Sequence, residues 1–367
     1  MKKGLFCIIT TILTVVMLCS FTACKNETEK PSAPKTVYFT VEESTITGLT
    51  MAGKRIENIV IPASIDGVEI TAIGNKAFYG VEKIKTVQLP ESITVIGSEA
   101  FYGCKNMTEI NLPNGINSLG SWAFYGCSKL QSITIPTGIT EIADNAFREC
   151  RSLNNVTIPS NITIIGNKSF EKCIAFTNIH LPASVSTLKD DAFTNCNSVT
   201  SFSVDSASQY FRTIDGNLYS KDGKTFVYYA LGKTAKTFTV PEGVESIGYA
   251  AFANEMELET VNVASTVKSL GYESFSGCQG LKYMTFGGAD SQLTSIAHRS
   301  FFNCVQLYSI EGPANLSYIG NYAFSYCSRI SKVYSYMSAV DWDNINVKRE
   351  AAYGNLVYLN ESIREYI

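Results

Sequence analysis

The chain has 367 residues, of which 45% are hydrophobic and 17% charged, and its formal net charge is −3. This composition is typical of a chain that buries a core, and it excludes an intrinsically disordered protein. The small net charge provides no basic stripe for nucleic acid, and only His180 and His298 are available for histidine-based catalysis or metal binding.

Segment 1–23 predicts a secretory signal peptide. The basic start "MKK" is followed by the apolar run "GLFCIITTILTVVMLCSF" and then by small residues. The ending "FTAC" resembles the lipobox of bacterial lipoproteins, in which cleavage leaves the cysteine first and its sulfur carries the lipid. The resemblance implies lipidation of Cys24, and an ordinary secretory signal is the alternative.

The mature chain would begin at Cys24 and carry a net charge of −5. Its first segment, 24–36, is polar and contains two prolines, which predicts a flexible tether. No second apolar segment of membrane-spanning length follows, so we expect the lipid to be the only membrane attachment.

The rest of the chain is dominated by an internal repeat of 23 residues. An Ala-Phe or Ser-Phe pair returns at this interval, with one step of 26 where "FGGADSQL" adds three residues and one longer interruption after residue 193. The phenylalanines of the pair are Phe78, Phe101, Phe124, Phe147, Phe170, Phe193, Phe252, Phe275, Phe301 and Phe324. A fixed period of this length is the signature of a repeat architecture.

The unit "CSKLQSITIPTGITEIADNAFRE" shows how each repeat is built. "LQSITIP" alternates apolar and polar residues, which predicts a short strand, and its proline cannot extend a strand ladder. The following I-x-x-I pair turns inward, the next Gly or Ala permits a tight turn, and the phenylalanine enters the interior. One unit cannot bury its own apolar residues, but stacked units can, so the repeat predicts a solenoid.

This unit, with I-P closing the strand and I-G-x-x-A-F-x-x-C closing the repeat, resembles the BspA-like leucine-rich-repeat surface proteins of bacteria. The resemblance implies a right-handed coil that is mainly β. It has one short parallel strand per 23-residue unit and 3₁₀ or turn segments on the convex side. About twelve coils are expected, in a first block at 71–201 and a second at 239–334. Segment 37–70 is predicted to form an N-terminal cap and the first strand.

Two further segments interrupt or end the repeat. Segment 202–238 contains "YFRTIDGNLYSKDGKTFVYY", in which two β-rich runs flank "SKDGK" and predict a β-hairpin with Gly223 in its turn. This insertion is either a structural island or a binding arm. Segment 335–367 is predicted to cap the C-terminal end, where Trp342 is either a packing residue or a platform for a ligand.

Eight cysteines occupy the last position of the unit. A zinc site would require close pairs such as C-x-x-C, and no histidine is fixed near any of these thiols, so neither a metal site nor a catalytic nucleophile is indicated. Stacked cysteines would be ~4.8 Å apart at Cα, which suits a disulfide, but equally far apart at Cβ, which does not. We therefore predict a ladder of buried free thiols. Its members are Cys104, Cys127, Cys150, Cys173, Cys196, Cys278, Cys304 and Cys327.

The sequence contains no catalytic, phosphate-binding or calcium-binding motif, so we expect neither enzymatic activity nor a cofactor or metal. Outward strand positions are polar and nearly uncharged, and they form either a solvated face or a binding surface. Tyr283, Tyr308 and Tyr334 fall at outward strand positions of three successive coils, with Tyr336 nearby. We predict that these four tyrosines form a binding patch. The alternative is cross-strand packing beneath the C-terminal cap.

The family resemblance implies a role at the cell surface. The first hypothesis is a lipid-anchored, monomeric surface protein that binds or adheres to protein ligands, such as host matrix or cell-surface proteins or other bacteria. The second is a glycan-binding accessory protein whose tyrosines stack on sugar rings. The third is a structural envelope protein without a specific ligand. No nucleic-acid partner is expected.

Overall fold

The computed structural model describes residues 38–313 and 315–330, together with the backbone of three short strands farther on. The elements are short strands, with 3₁₀ turns at Gly53–Arg55 and Gly288–Asp290. The strands of the N-terminal cap and the first block are β1 (Phe39–Glu42), β2 (Thr45–Leu49), β3 (Asn58–Val60), β4 (Ser64–Ile65), β5 (Val68–Glu69), β6 (Ala72–Ile73), β7 (Thr86–Gln88), β8 (Val95–Ile96), β9 (Glu109–Ile110), β10 (Ser118–Leu119), β11 (Ser132–Thr134), β12 (Glu141–Ile142), β13 (Asn155–Thr157), β14 (Ile164–Ile165), β15 (Asn178–Leu181), β16 (Thr187–Leu188) and β17 (Ser201–Val204).

The second half of the chain begins with the inserted segment and continues as a second block. The strands of the insertion are β18 (Phe211–Ile214), β19 (Asn217–Ser220) and β20 (Thr225–Tyr228). The strands of the second block are β21 (Thr237–Thr239), β22 (Ser246–Ile247), β23 (Thr260–Asn262), β24 (Ser269–Leu270), β25 (Tyr283–Thr285), β26 (Ser295–Ile296), β27 (Ser309–Gly312), β28 (Tyr318–Ile319), β29 (Lys332–Ser335), β30 (Asn346–Val347) and β31 (Arg364–Tyr366).

Each coil contributes one strand to each of two rows and then a turn that leads into the next coil. We call the strands of the I-x-I segment the front row: β3, β7, β9, β11, β13, β15 and β17, then β21, β23, β25, β27, β29 and β31. We call those of the I-x-x-I pair the back row: β6, β8, β10, β12, β14 and β16, then β22, β24, β26, β28 and β30. Paired strands within a row are parallel and in register, as in Thr134↔Thr157 of the front row. The fold is therefore the predicted β-solenoid.

The repeat sequence explains how the chain passes from the front row to the back row. In the front strands the apolar residues point inward and are buried, as Ile133 is at 4% exposure. A proline follows within three residues in eight of the coils, for example Pro136 after β11. Its carbonyl accepts a hydrogen bond from the backbone N–H of Ile139 three residues later, at 3.1 Å. The proline therefore ends the strand and begins the turn.

On the third side of each coil, which we call the turn side, backbone hydrogen bonds join successive coils through the G-x-x-A-F-x-x-C segment. The N–H groups of Glu99, Phe101 and Gly103 donate to carbonyls of the next coil at 3.0, 2.8 and 2.7 Å. The turn requires a residue in the left-handed backbone conformation two positions after the glycine of the I-G pair, or after the residue that replaces it. The φ angle of that residue lies between 48° and 63° in every unit. These residues are Lys76, Glu99, Trp122, Asn145, Lys168, Asp191, Ala250, Glu273, Arg299 and Tyr322.

Phenylalanine rings fill the interior as a continuous stack in each block. Phe101 and Phe124 lie 5.3 Å apart between centroids at an interplanar angle of 1°, and Phe124 and Phe147 lie 5.4 Å apart at 4°. All three side chains are fully buried. The ring separation matches the spacing of hydrogen-bonded strands, about 4.8 Å, because each coil supplies one ring.

The insertion divides the interior into two cores. Strands β18, β19 and β20 form an antiparallel meander, and β20 then pairs in parallel with β22, so the meander opens the back row of the second block. Tyr228 of β20 contacts Phe193 edge to face at 6.2 Å, which ends the first ring stack. Phe226 of the same strand stacks on Phe252 at 4.8 Å and starts the second. The insertion is thus built into the solenoid.

Both ends of the solenoid are extended by further strands. The antiparallel hairpin β1–β2 pairs in parallel with β6 and buries Phe39 and Ile46 in the first core. At the other end, the backbone of β30 pairs with β28 and that of β31 pairs with β29. The predicted signal peptide, the tether 24–36 and most of the C-terminal cap 335–367, including Trp342, lie outside the described residues.

The structure adds detail that the repeat did not predict. Each regular coil has a second, two-residue strand in the back row besides the predicted front strand. Neither 3₁₀ turn belongs to a regular repeat, since one lies in the cap and the other in the three-residue insertion. The predicted hairpin around Gly223 is present as β19–β20, and a third strand, β18, extends it.

The glycine of the I-G pair has a different role from the one predicted. In Gly97, the φ angle is outside the left-handed region, but a Cβ atom would lie 2.6 Å from the backbone nitrogen of Asn75 in the preceding coil. Glycine therefore allows close approach of two coils. Ala143, Lys189 and Ala297 hold this position in three other coils.

We expect Gly97→Ala to lower the free energy of unfolding by about 1–2 kcal/mol, because the added Cβ must push two hydrogen-bonded coils apart. Gly115→Ala is the matched control, since its Cβ would meet Glu91 O at 3.4 Å, an ordinary contact. Urea unfolding followed by circular dichroism measures both. Equal stability of the two variants would contradict the close-approach explanation.

Candidate functional site

The front row presents a column of side chains that point away from the core. Because side chains alternate along a strand, each residue between two buried apolar positions faces outward. Parallel pairing places these residues directly above one another, as in Thr239↔Asn262↔Thr285. The described members of this front column are Val60, Gln88, Asn111, Thr134, Thr157, His180, Ser203, Thr239, Asn262, Thr285 and Glu311.

Side chains of the front column are hydrogen-bonded along the stack. Thr285 Oγ1 donates to Asn262 Oδ1 at 3.1 Å, and Asn262 Nδ2 donates to Thr239 Oγ1 at 3.4 Å. In the first block, Asn111 Nδ2 donates to the carbonyl of Leu89 at 3.2 Å. The face is consequently an ordered, nearly uncharged array of hydroxyl and amide groups.

The structure brings two of the four predicted patch tyrosines together. Tyr283 and Tyr308 are 47% and 41% exposed, and their rings meet edge to face at 6.3 Å. Tyr283 begins β25 and pairs with Ser309, whereas Tyr308 immediately precedes β27. The backbone of Tyr334 pairs with that of Glu311, which is a member of the front column. The three tyrosines therefore do not share a column, and Tyr336, like Cys24, lies outside the described residues.

The eight repeat cysteines are free, at most 2% exposed, and hydrogen-bonded to the preceding coil. Each Sγ donates to the carbonyl of the phenylalanine one coil before it, as Cys127 does to Phe101 at 3.2 Å and Cys327 to Phe301 at 2.9 Å. Burial raises the pKa of Cys104 and Cys196 to about 12. The thiols thus act as small buried donors.

Two repeats have another residue in place of the cysteine. Val81 belongs to the first phenylalanine-containing coil, which is preceded by the N-terminal cap. Glu255 belongs to the first such coil after the insertion. Its carboxylate is 1% exposed and accepts hydrogen bonds from the backbone N–H groups of Glu257 and Leu258 at 2.8 and 2.7 Å. Neither position is preceded by a regular repeat with a phenylalanine, although the N–H of Tyr229 in the insertion donates to the Ala251 carbonyl as those phenylalanines do to theirs.

His180 is exposed in the front column and links two coils. Its Nδ1 lies 3.0 Å from Ser203 Oγ, and its Nε2 lies 3.2 Å from Asp205 Oδ1. All three residues are on the surface, with the imidazole 57% exposed and the carboxylate 46% exposed. His298 lies on the turn side, where its Nε2 is 3.3 Å from the Tyr318 hydroxyl.

A cavity of about 280 Å³ opens on the front face beside His180. It lies between β13 and β15, and its walls include Asn155, Val156, Phe176 and Asn178. The repeat pattern did not reveal it, because the sequence of these two coils predicts an unbroken front row. The one local signal is Phe176, a large ring at the position where neighbouring repeats have Leu153 and Leu130.

The turn side carries an aromatic cluster that the repeat pattern did not predict. Tyr79, Tyr102 and Tyr125 stack on one another at 4.7 and 4.5 Å, and Trp122 lies 5.3 Å from Tyr125. The Arg148 guanidinium lies 5.9 Å from the Trp122 ring. The signal was the tyrosine of "AFYG", repeated in three successive units. Because the stacked faces cover one another, this cluster mainly joins coils.

Within residues 38–313 and 315–330, no group of three or more His, Cys, Asp or Glu side chains is arranged to hold a metal ion. No helix in this part of the chain is long and apolar enough to cross a membrane.

Comparison with known proteins places the chain in a family. A family model described as "BspA type Leucine rich repeat region" matches residues 44–173, 71–200, 140–221 and 224–342. The chain therefore belongs to the BspA-type leucine-rich-repeat family. Comparison with curated proteins gives no match.

Solved structures show the same fold. A leucine-rich cell surface protein from Faecalibacterium prausnitzii is 26% identical, with a TM-score of 0.63 over 87% of this chain and 97% of that chain. The pneumococcal vaccine antigen PcpA is 19% identical, with a TM-score of 0.71 over 89% of this chain and 90% of that chain.

We expect the eight repeat thiols to resist iodoacetamide at pH 8 in the folded protein and to react fully in guanidinium chloride. For Cys104, a pKa of about 12 leaves roughly one thiol in ten thousand ionised at that pH. Burial denies the reagent access to all eight thiols. A chain that starts at Lys25 contains only these eight cysteines, so mass spectrometry counts them directly. Rapid labelling of the native chain would contradict the buried ladder.

Proposed function

We propose that this BspA-type leucine-rich-repeat protein is an exported, lipid-anchored surface protein that binds a protein partner through its front face. The observation that carries the proposal is the exposed pair Tyr283 and Tyr308. Exposed tyrosines offer a large contact area with a polar tip, and they are enriched among residues that dominate binding energy.

The surroundings of this pair support a protein interface. Beside Tyr283 runs the hydrogen-bonded ladder of Thr285, Asn262 and Thr239, which supplies uncharged donors and acceptors. The pair Lys282–Glu259, with its charged atoms 2.8 Å apart, lies at the edge of the same face. Aromatic residues at a centre that is poor in charge, with polar groups around it, are typical of protein interfaces.

Location at the cell surface is supported by the relatives. The Faecalibacterium prausnitzii protein is described as a cell surface protein, and PcpA is described as a vaccine antigen. The "FTAC" ending of the predicted signal peptide supports attachment through a lipid on Cys24. Leucine-rich-repeat solenoids are scaffolds that bind other molecules on their extended faces, which supports binding as the role.

We expect the wild-type protein to partition into the detergent phase of a Triton X-114 extract, and Cys24→Ser to remain in the aqueous phase, because the serine cannot carry the thioether-linked lipid. Protease added to intact cells should remove the wild-type protein. An aqueous wild-type protein would contradict the anchor, and a protease-resistant protein in intact cells would contradict the surface location.

We expect the double variant Tyr283→Ala/Tyr308→Ala to lose affinity for a protein partner by at least tenfold, since two exposed aromatic contacts are removed. The measurement is binding of the purified chain, starting at Lys25, to a panel of extracellular-matrix proteins and to a glycan array. Tyr79→Ala is the matched control, because Tyr79 is 49% exposed but lies on the turn side.

Three outcomes separate the hypotheses. Loss of affinity for a matrix protein in the double variant alone supports the proposal. Unchanged affinity in the double variant places the interface elsewhere and contradicts it. Binding to glycans with none to proteins favours a glycan-binding accessory protein instead.

A further inference from the structure

The front row is interrupted twice in the first block, between β9 and β11 and between β13 and β15. The second interruption opens the cavity, although the same two coils are joined elsewhere. Strand β13 pairs with β11 and β15 pairs with β17, so the two strands belong to separate sheets. In the back row, however, Ile164 of β14 pairs with Thr187 of β16. On the turn side, the Phe170 N–H donates to the Ala192 carbonyl at 2.9 Å. The coils are therefore closed on two sides and open at the front, which makes a wedge-shaped opening that we call the front cleft.

The opening exposes residues that are buried in neighbouring coils. Val156 and Ile158 of the β13 segment are only partly buried. Their counterparts one coil earlier, Ile133 and Ile135, are 4% and 2% exposed. Apolar surface that a paired strand would cover is thus accessible through the cleft, whose volume is about 280 Å³.

The interior of the front cleft is aromatic. Phe170, Phe176 and Phe193 line it, and Phe176 stands edge to face against Phe170 at 5.8 Å between centroids. Aromatic rings prefer edge-to-face or offset contacts with other rings. An inserted aromatic side chain would find such contacts here, and the volume lies below the range typical of sites for drug-sized ligands.

The mouth of the front cleft is polar and suited to an extended backbone. The side-chain amides of Asn154 and Asn155 make no hydrogen bond within the described part of the chain, and both side chains are exposed. The facing edges of β13 and β15 are not paired with each other, so backbone groups are available there. An unpaired strand edge beside a side-chain pocket is the arrangement by which proteins recognise extended peptides.

We propose that the front cleft binds one aromatic side chain of a partner protein, presented on an extended, uncharged segment whose backbone pairs with the open edge of β13 or β15. This inference rests on the proposed function, because it specifies how the front face engages a protein. It concerns residues separate from Tyr283 and Tyr308, so the two sites are tested independently.

The experiment uses acetyl-Thr-Trp-Thr-amide as the probe and acetyl-Thr-Ala-Thr-amide as its control. Methyl-labelled protein starting at Lys25 is titrated with each peptide and observed by NMR. We expect saturable shifts at the methyl groups of Val156, Ile158 and Ile179 with the tryptophan peptide, and none with the alanine peptide. Absence of shifts at these methyls with the tryptophan peptide overturns the proposal.

Two variants test the site itself. Val156→Phe fills the cleft, and Phe176→Leu installs the residue that Leu130 and Leu153 provide in neighbouring repeats. We expect each to weaken the tryptophan peptide at least tenfold, while circular dichroism shows an intact fold. Unchanged affinity in a folded Val156→Phe variant overturns the proposal.

Two controls separate this inference from the alternatives. The Tyr283→Ala/Tyr308→Ala variant should bind the tryptophan peptide normally even where it loses a protein partner, so failure of one site is distinguishable from failure of the other. Free indole should bind at least tenfold more weakly than the peptide. Equal affinity for indole overturns docking of an extended segment and identifies a pocket for small aromatic molecules.

Discussion

The spacing between coils is the constraint on which the rest of this structure depends. It is set by backbone hydrogen bonds on the turn side, where three N–H groups of one coil, those of Glu99, Phe101 and Gly103, donate to the next. A coil can then contribute only groups that fit within one strand spacing of about 4.8 Å. A phenyl ring whose plane lies parallel to the layer of its coil is thin enough for this spacing. The rings accordingly stack nearly parallel, with 5.3 Å between the ring centroids of Phe101 and Phe124.

The same limit bears on the other recurrent features of the coil. The thiol is small enough to remain in its layer, and each of the eight cysteines donates to the Phe carbonyl of the coil before it. Left-handed backbone recurs in every turn, and residues such as Trp122 and Ala250 adopt it at a cost on the order of 1 kcal/mol each. Hydrogen bonds to both neighbouring coils offset that strain.

The sequence predicted what the repeat must do in every coil. Periodicity indicated the solenoid, the buried phenylalanines and the proline that ends the front strand. It missed the back row, because strands of two residues, such as Val95–Ile96, are too short to show an alternating pattern. It assigned the conserved-looking glycine to a turn, since a close approach to another coil depends on the packed structure. It also placed Tyr308 within a strand, whereas that strand begins at Ser309.

Features that differ between coils were the least predictable, and they are the ones that bear on function. Phe176 replaces leucine in one repeat, which is a conservative change. In the structure, however, its ring lines the cavity that lies between two sheets. Such an opening is tolerated at the front because the back row and the turn side still hold the two coils at their spacing. A break on the turn side would also remove the carbonyl that each thiol needs and the register of the ring stack. The strand rows are interrupted elsewhere too, between β9 and β11 in the front row and between β10 and β12 in the back row, while the turn-side hydrogen bonds continue through the same coils. The strand rows are therefore where a coil can diverge without losing its neighbours, and binding sites are expected to arise there.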